Sequence, residues 1–393
     1  MVLMDFTARI IKRLGEMEKS ILIMTDVSTM PIGIIPLYGT EALTKRIAYY
    51  LDRIYNVGET KIIDSKVMRF LTGDAKAILE NTVRGMDVYI IMDVGNYSCH
   101  YKMYGQDVIM SPDEHFQNLK RVISAIGGKA NRINVVSPML YAARQDRKLA
   151  RESLDCAVAL RELEQIGVKN IMAFDVHDDR VQNAVPFMGF DNLMPVYQVI
   201  KEMKRCYPNL NFTEEEMLVV SPDLGGTNRN LLYATELGLD MGIFYKRRSK
   251  KSFVNGKYQV EVHKYIGPDV KGKDILIADD IIASGETILD VIRKLKELGA
   301  RRVFASVTFG LFTEGISHYN KAFEDGVLEA VFITNATYCR DEVKNAPWFH
   351  EVDLSKYIAF YIYCVNSGKS ISSLINPHLK IQSLLAKQEE TSD

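Results

Sequence analysis

The sequence has few cysteines, no long apolar run and almost no net charge. Its five cysteines are scattered without a CxxC pair, so we exclude a zinc or redox motif and expect reduced thiols in a cytoplasmic protein. No stretch approaches about 18 consecutive apolar residues, and residues 1–20 carry several charges, which excludes a predicted membrane span or signal peptide. A formal net charge of -1 provides no general attraction to nucleic acid or anionic membranes, so anions must be bound by local clusters.

What is present is typical of a globular α/β protein. A length of 393 residues, 47% of them hydrophobic and 25% charged, indicates about two domains. Short apolar runs alternate with helical patterns, which favours mainly parallel sheets. A domain boundary is expected near 191–207, with a helix over Val196–Cys206. The predicted strands are Ile32–Pro36, Val88–Asp93, Ile133–Ser137, Asn170–Asp175, Leu218–Ser221, Met241–Tyr245, Asp274–Ala278, Val303–Thr308, Ala330–Thr334 and Ile358–Tyr363.

The segment 273–299 joins a strand, two acids, a turn of small residues and a helix. The apolar run 275–278 predicts a buried strand, Asp279 and Asp280 follow it, and the helical pattern stops at Gly299. Backbone N–H groups in the turn 283–285 suit a phosphate, while the two carboxylates suit ribose hydroxyls or a magnesium-bound water. The alternative is an ordinary strand-to-helix turn with a solvated acidic pair.

Two more strand ends carry candidate binding residues. Asp223, Gly225 and Gly226 follow the strand that ends at Ser221, and the two glycines allow a diphosphate to approach the backbone closely. His177 follows another strand among nearby carboxylates, where the alternative is a surface histidine in a turn.

Two runs of basic residues are candidates for polyphosphate contacts. Arg144 and Gln145 lie in the run 141–148, whose arginines suit contacts with the phosphates of a nucleotide. The alternative is a solvated loop. Lys246 and Arg248 lie in the run 246–251, which we interpret as a mobile hairpin able to close over a polyphosphate. An exposed charged hairpin or a patch for an anionic partner is the alternative.

These motifs together resemble those of the ribose-phosphate diphosphokinases. The matching segments are ARQDRK (143–148), FDVHDD (174–179), VVSPDLGGTNR (219–229), YKRR (245–248) and ILIADDIIASGET (275–287). The resemblance covers roughly residues 32 to 377. It implies an α/β fold of two similar phosphoribosyltransferase-like domains with mainly parallel sheets. The implied divisions are an N-terminal extension (1–31), a domain on the ATP side (32–192), a domain on the ribose 5-phosphate side (193–377) and a polar tail (378–393).

The resemblance also implies a reaction and roles for individual residues. The reaction transfers the diphosphoryl group of ATP to the C1 hydroxyl of ribose 5-phosphate, with Mg²⁺ as cofactor, in a homo-oligomer that is a dimer or a hexamer. The residues implied for ribose 5-phosphate are Asp223, Gly225, Gly226, Asp279, Asp280, Ala283, Ser284, Gly285, Glu286 and Thr287. Those implied for ATP are Phe70, Thr72, Asp74, Arg144, Gln145 and His177. Lys246 and Arg248 resemble catalytic cations, His177 and Asp223 resemble metal-linked positions, and Arg84 resembles a regulatory position.

The sequence departs from the family pattern at a few positions. Thr72 and Asp74 replace the usual acids of the adenine loop, and Glu286 places a carboxylate in the phosphate loop, where it repels an anion unless it points away. The region 97–116 is enlarged relative to the family. These departures keep two alternatives open: a non-catalytic regulatory homologue of such a synthetase, or a phosphoribosyltransferase.

Overall fold

The computed structural model describes residues 30–55, 60–254 and 257–389, except for the side chains of 246–263 and 387–389. Most of the predicted N-terminal extension therefore lies outside the described residues. The strands are β1 (Ile32–Pro36), β2 (Lys61–Ile62), β3 (Ser65–Arg69), β4 (Ala75–Leu79), β5 (Asp87–Ile91), β6 (His100–Met103), β7 (Gln106–Ile109), β8 (Arg132–Val136), β9 (Asn170–Phe174), β10 (Gly189–Leu193), β11 (Met217–Ser221), β12 (Met241–Val254), β13 (Lys257–Ile266), β14 (Asp274–Ile282), β15 (Arg302–Gly310), β16 (Ala330–Thr334) and β17 (Phe349–Val352). The helices are α1 (Glu41–Tyr55), α2 (Pro112–Ile126), α3 (Asp155–Gln165), α4 (Val196–Cys206), α5 (Thr227–Leu237), α6 (Glu286–Glu297), α7 (Ser317–Glu324), α8 (Asp341–Lys344), α9 (Ser355–Asn366), α10 (Ser372–Ile375) and α11 (His378–Glu389), with a short 3₁₀ helix at Asp179–Ala184.

The first sheet is parallel and has the order β10-β9-β8-β5-β1-β2. Its strands are short, and the interior strand β5 is buried along its whole length, as expected when helices cover both faces. Two small antiparallel hairpins, β3-β4 and β6-β7, lie outside this sheet. Helix α2 packs on the first of them and begins in a capping box, in which Ser111 and Glu114 satisfy each other's backbone N–H groups.

The second sheet has the order β13-β12-β11-β14-β15-β16-β17. It is parallel except for the long hairpin that pairs β12 with β13. Strands β12 and β13 are added on one side of β11, and strands β15, β16 and β17 are added on the opposite side, beyond β14. The strand order therefore reverses between the neighbours β11 and β14. Ligands of open α/β sheets bind outside the carboxyl ends of the strands at such a point.

Most of the predicted strands are present with bounds close to the expected ones. The prediction of a strand at Ile358–Tyr363 is wrong. These residues lie in helix α9, whose residues Ile358 and Ile362 are fully buried. The helix follows β17 of the second sheet yet packs on α1 beside the first sheet, and Asn366 donates to the carboxylate of Asp87 at 3.0 Å. A helix that is covered on all sides is apolar all round, so its sequence lacks the periodicity that distinguishes a helix from a buried strand.

The segment at the expected domain boundary has the predicted helix, α4, with the expected bounds Val196–Cys206. It packs on β16 and β17 of the second sheet. None of the helices in the described part of the chain is long and apolar enough to cross a membrane.

Candidate active site

In the second sheet, strand β14 is followed by a short turn and then by the N-terminus of helix α6. Strand β14 continues to Ile282, beyond the predicted end at Ala278, because Ile281 and Ile282 still pair with β15. Asp279 and Asp280 therefore lie within the last part of the strand. Ala283 and Ser284 make the turn, and α6 begins at Glu286. We call residues 283–287 the cradle.

Gly285 is needed at the centre of the cradle for two separate reasons. Its φ of 83° lies in the left-handed region, which side chains other than glycine rarely adopt. A Cβ atom there would also lie 2.5 Å from the ring of Tyr319, whose hydroxyl donates to the Gly285 carbonyl at 3.2 Å. The buried Tyr319 thus supports the turn from beneath.

The N–H groups of the first helical turn have no partner within the helix, and they make the cradle suitable for an anion. Glu286 and Thr287 occupy this turn and are both exposed to solvent. Exposure leaves the Glu286 carboxylate hydrated. The negative charge nevertheless stays next to the N–H groups that a phosphate would use.

The second predicted loop lies at the neighbouring strand end. Asp223 follows β11 and accepts a hydrogen bond from the N–H of Gly226 at 3.0 Å, while Gly225 is exposed. Asn230 of α5 then bonds to both the N–H and the carbonyl of Ala278, at 2.9 and 2.8 Å. The ends of β11 and β14 are therefore fixed side by side.

Arg229, which the sequence interpretation left without a role, connects the two sheets. Its Nε donates to Asp175 Oδ1 at 2.7 Å, and Asp175 follows β9 of the first sheet. Its Nη atoms lie 3.4 Å from Asp279 and 3.5 Å from Asp280. Thr308 of β15 donates to the other oxygen of Asp175 at 2.6 Å. One nearly buried guanidinium, 11% exposed, thus contacts three acids from both sheets.

Burial and the mutual charges set the pKa values of this cluster. Burial raises the pKa of Asp175, although the Arg229 charge opposes this shift. Burial, followed by the neighbouring Asp280, also raises the pKa of Asp279. Burial alone would lower the pKa of Arg229, but the three carboxylates together raise it. Arg229 is therefore the charge that allows several acids to gather at the strand ends.

The predicted ATP residues of the first sheet lie in two loops that contact each other. His177, two residues beyond Asp175, pairs through Nδ1 with Asp146 Oδ2 at 2.7 Å. Asp146 comes from the loop that also carries Arg144 and Gln145, both exposed. The sequence interpretation named the histidine and missed this carboxylate, although it lies in the same basic run. The pair fixes the His177 ring while leaving it accessible to a ligand.

The predicted adenine loop occupies the tip of the β3-β4 hairpin. Phe70 is 49% exposed, and Thr72 donates to the carboxylate of Asp74 at 3.0 Å. Among the described residues, no hydrogen bond or ion pair joins this tip to Arg144 or His177. Arg84 is exposed and precedes β5, so it lies at the opposite end of the first sheet from His177, which follows β9.

The predicted catalytic cations lie on the long β12-β13 hairpin. In the backbone register Lys246 pairs with His263 and Arg248 with Val260, with irregularities on both sides of Arg248. Their side chains lie outside the part of the chain that the structure describes. Among the described residues, no group of three His, Cys, Asp or Glu side chains is placed to hold a metal ion by itself.

Comparison with protein families identifies two regions of the chain. Residues 32–167 match the N-terminal domain of ribose phosphate pyrophosphokinase, and residues 191–321 match the phosphoribosyl transferase domain.

Relatives match most of the chain. Ribose-phosphate pyrophosphokinase of Vibrio cholerae serotype O1 is 31% identical over 338 residues, which cover 85% of this chain and 96% of the relative. The enzyme of the same name from Vibrio vulnificus is 30% identical over 86% of this chain and 97% of its own length. The crystal structure of phosphoribosylpyrophosphate synthetase from Mycobacterium smegmatis superposes with a TM-score of 0.70 at 21% identity, covering 86% of this chain and 99% of that one.

These similarities confirm the predicted fold of two phosphoribosyltransferase-like domains with mainly parallel sheets. They also confirm the family that the sequence motifs indicated. The chain belongs to the ribose-phosphate pyrophosphokinase family.

Proposed function

We propose that the protein transfers the diphosphoryl group of ATP to the C1 hydroxyl of ribose 5-phosphate, giving 5-phosphoribosyl 1-diphosphate and AMP. The observation that carries the proposal is the Asp175–Arg229 ion pair of 2.7 Å. Asp175 lies two residues before His177, and Arg229 lies three residues after Gly226. The pair therefore joins the strand end of the first sheet that we assign to the nucleotide to the strand end of the second sheet that we assign to the sugar.

In this proposal the second sheet binds the sugar phosphate. The N–H groups of the cradle would bind the 5-phosphate, and Asp279 and Asp280 would accept hydrogen bonds from ribose hydroxyls. The C1 end would then lie toward Asp223 and the Gly225-Gly226 backbone. In this arrangement the C1 hydroxyl would face the first sheet, where Arg144, Gln145 and His177 would contact ATP.

The reaction forms a bond between the C1 oxygen and the β-phosphorus of ATP. The bond from the β-phosphorus to the oxygen that bridges it to the α-phosphorus breaks, AMP leaves, and the hydroxyl proton is released. Such transfers depend on positioning and on charge neutralisation more than on covalent help from the protein. We assign Lys246 and Arg248 to that neutralisation, and Phe70, Thr72 and Asp74 to the adenine end of ATP.

Bound Mg²⁺ would neutralise charge on the polyphosphate. Its preference for oxygen ligands and water fits a site with scattered carboxylates rather than a cage made of protein alone. We assign His177 and Asp223 to the surroundings of the ion, with substrate oxygens completing its coordination. We further propose a cytoplasmic homo-oligomer, a dimer or a hexamer, that binds neither nucleic acid nor membrane.

The test is to incubate the protein with ATP, ribose 5-phosphate and magnesium, and to separate the nucleotides by chromatography. We expect AMP to appear only when ribose 5-phosphate is present, with no ADP. Binding of ribose 5-phosphate without AMP from any nucleoside triphosphate would instead identify a non-catalytic homologue. Release of diphosphate from 5-phosphoribosyl 1-diphosphate and a nucleobase would identify a phosphoribosyltransferase.

A further inference from the structure

The segment 93–97, which follows β5, is bonded to the second sheet at several points. The carboxylate of Asp93 accepts from the Thr337 hydroxyl and from the Tyr338 N–H, both at 2.8 Å. Tyr97, at the other end of the segment, donates its hydroxyl to the carbonyl of Leu311 at 3.1 Å. The loop after β5 is thus attached to the loops after β15 and β16, across the gap between the two sheets.

Leu311 is also bonded to the backbone at the start of the cradle. Its N–H donates to the carbonyl of Ile282 at 2.9 Å, and the N–H of Thr313 donates to the carbonyl of Ala283 at 2.9 Å. Leu311 therefore contacts Tyr97 through its carbonyl and, through its N–H, Ile282, the residue directly before the cradle. Leu311 and Ile282 connect the hydroxyl of Tyr97 to the turn that would bind the sugar phosphate.

The ring of Tyr97 is held firmly enough to direct its hydroxyl. It packs edge-on against Tyr338, with ring centroids 5.2 Å apart and an interplanar angle of 86°. The guanidinium of Arg340 lies 4.9 Å from the centre of the Tyr97 ring. Gly95 passes so close to Thr337 that an added Cβ would lie 2.5 Å from its hydroxyl oxygen. These contacts leave the Tyr97 ring little freedom to turn away from Leu311.

From these contacts we infer that Tyr97 is a positioning residue for the sugar-phosphate cradle. Through Leu311 it fixes residues 282–283 relative to the first sheet, and so sets the place of the sugar relative to ATP. Tyr97 begins the region 97–116, which is enlarged relative to the family pattern and to which the proposed reaction assigns no role. The inference rests on the proposed function in taking residues 283–287 as the ribose 5-phosphate site.

The experiment compares Tyr97→Phe with Tyr338→Phe. Both substitutions keep the paired rings and remove one hydroxyl, but among the described residues only the Tyr97 hydroxyl is bonded to Leu311. Dissociation constants for ribose 5-phosphate and for ATP are measured separately by calorimetry, without turnover, and thermal unfolding shows whether each variant is folded. AMP formation by the unchanged protein is measured in parallel, so that failure of the proposed function is seen independently of failure of the inference.

We expect Tyr97→Phe to weaken ribose 5-phosphate binding about five-fold, the fold-change of one typical hydrogen bond. ATP binding and the melting temperature should change little, and Tyr338→Phe should change none of the three. Unchanged ribose 5-phosphate binding in Tyr97→Phe would overturn the inference. An equal effect from Tyr338→Phe, or equal weakening of ATP binding, would overturn it as well, because either result indicates a general loosening of the structure.

Discussion

Replacing Arg229 with methionine should destabilise the protein strongly and in a manner that depends on pH. Methionine keeps much of the length and apolar surface of the side chain but removes the charge that contacts Asp175, Asp279 and Asp280. Removal of one partner from a buried ion pair costs about 3–5 kcal/mol, because the other charge is left buried without compensation. We expect a loss of that size in the free energy of unfolding near neutral pH.

The sign of the pH dependence follows from the carboxylates. Without the cation, the folded-state pKa values of Asp175 and Asp279, already raised by burial, should rise further above the unfolded value of about 3.9. A raised pKa means that the folded state binds more protons than the unfolded state, so stability falls as pH rises between the two values. The difference between the unchanged protein and Arg229→Met should therefore be small near the unfolded pKa and large near neutral pH.

The assay is urea unfolding followed by circular dichroism at about pH 5 and about pH 7.5, at one protein concentration because assembly affects apparent stability. Arg302→Met is the matched control. It removes a cation from the equally buried Asp274, which retains Arg301 at 2.9 Å. A loss in Arg229→Met that is independent of pH, or no larger than the loss in Arg302→Met, would refute the assigned role of Arg229.

Three further predictions concern separate parts of the site. Glu286→Gln removes a negative charge from the first turn of α6. Ribose 5-phosphate binding, measured by calorimetry, should become about two- to five-fold tighter. No change would mean that this carboxylate does not act on the cradle. Burial raises the pKa of Asp93 to about 6, so stability should fall by at most about 3 kcal/mol as pH rises from about 4 to about 6. Asp93→Asn should lack this fall in urea titrations across the range, and a variant with the same fall would contradict the assignment to Asp93. Lys246→Ala should lower kcat about 100- to 1,000-fold, because that is the effect of losing one group that stabilises the transition state. Substrate affinities should stay nearly unchanged. Unchanged turnover would remove Lys246 from the mechanism.

Much of both sheets could be predicted because many of their strands are apolar runs that end in turn residues. The bounds of Ile32–Pro36, Ala330–Thr334 and the helix Val196–Cys206 were predicted as the structure has them. Strand β17 and the short hairpins were not predicted, because half-exposed strands of four or five residues give only two to four apolar positions each.

The local geometry of the candidate site could be predicted where its residues belong to a single strand end. Asp279, Asp280 and the cradle follow one another in the sequence, as do Asp223 and its two glycines. The contacts between elements were not predictable in this way: Arg229 is 54 residues from Asp175, and Tyr97 is 214 residues from Leu311. In a single sequence nothing distinguishes such an arginine or tyrosine from an ordinary surface residue, because its role depends on which strand ends meet in the fold.

The most direct test of the account follows the β-phosphorus of ATP. ATP labelled at that phosphorus is incubated with ribose 5-phosphate, magnesium and the protein, and the products are separated and counted. We predict that the label moves into the sugar product together with the γ-phosphate, and that AMP is formed in equal amount without label. Label recovered in ADP would show transfer of the γ-phosphate alone, and label that stays in ATP would show no transfer; either result would contradict the account.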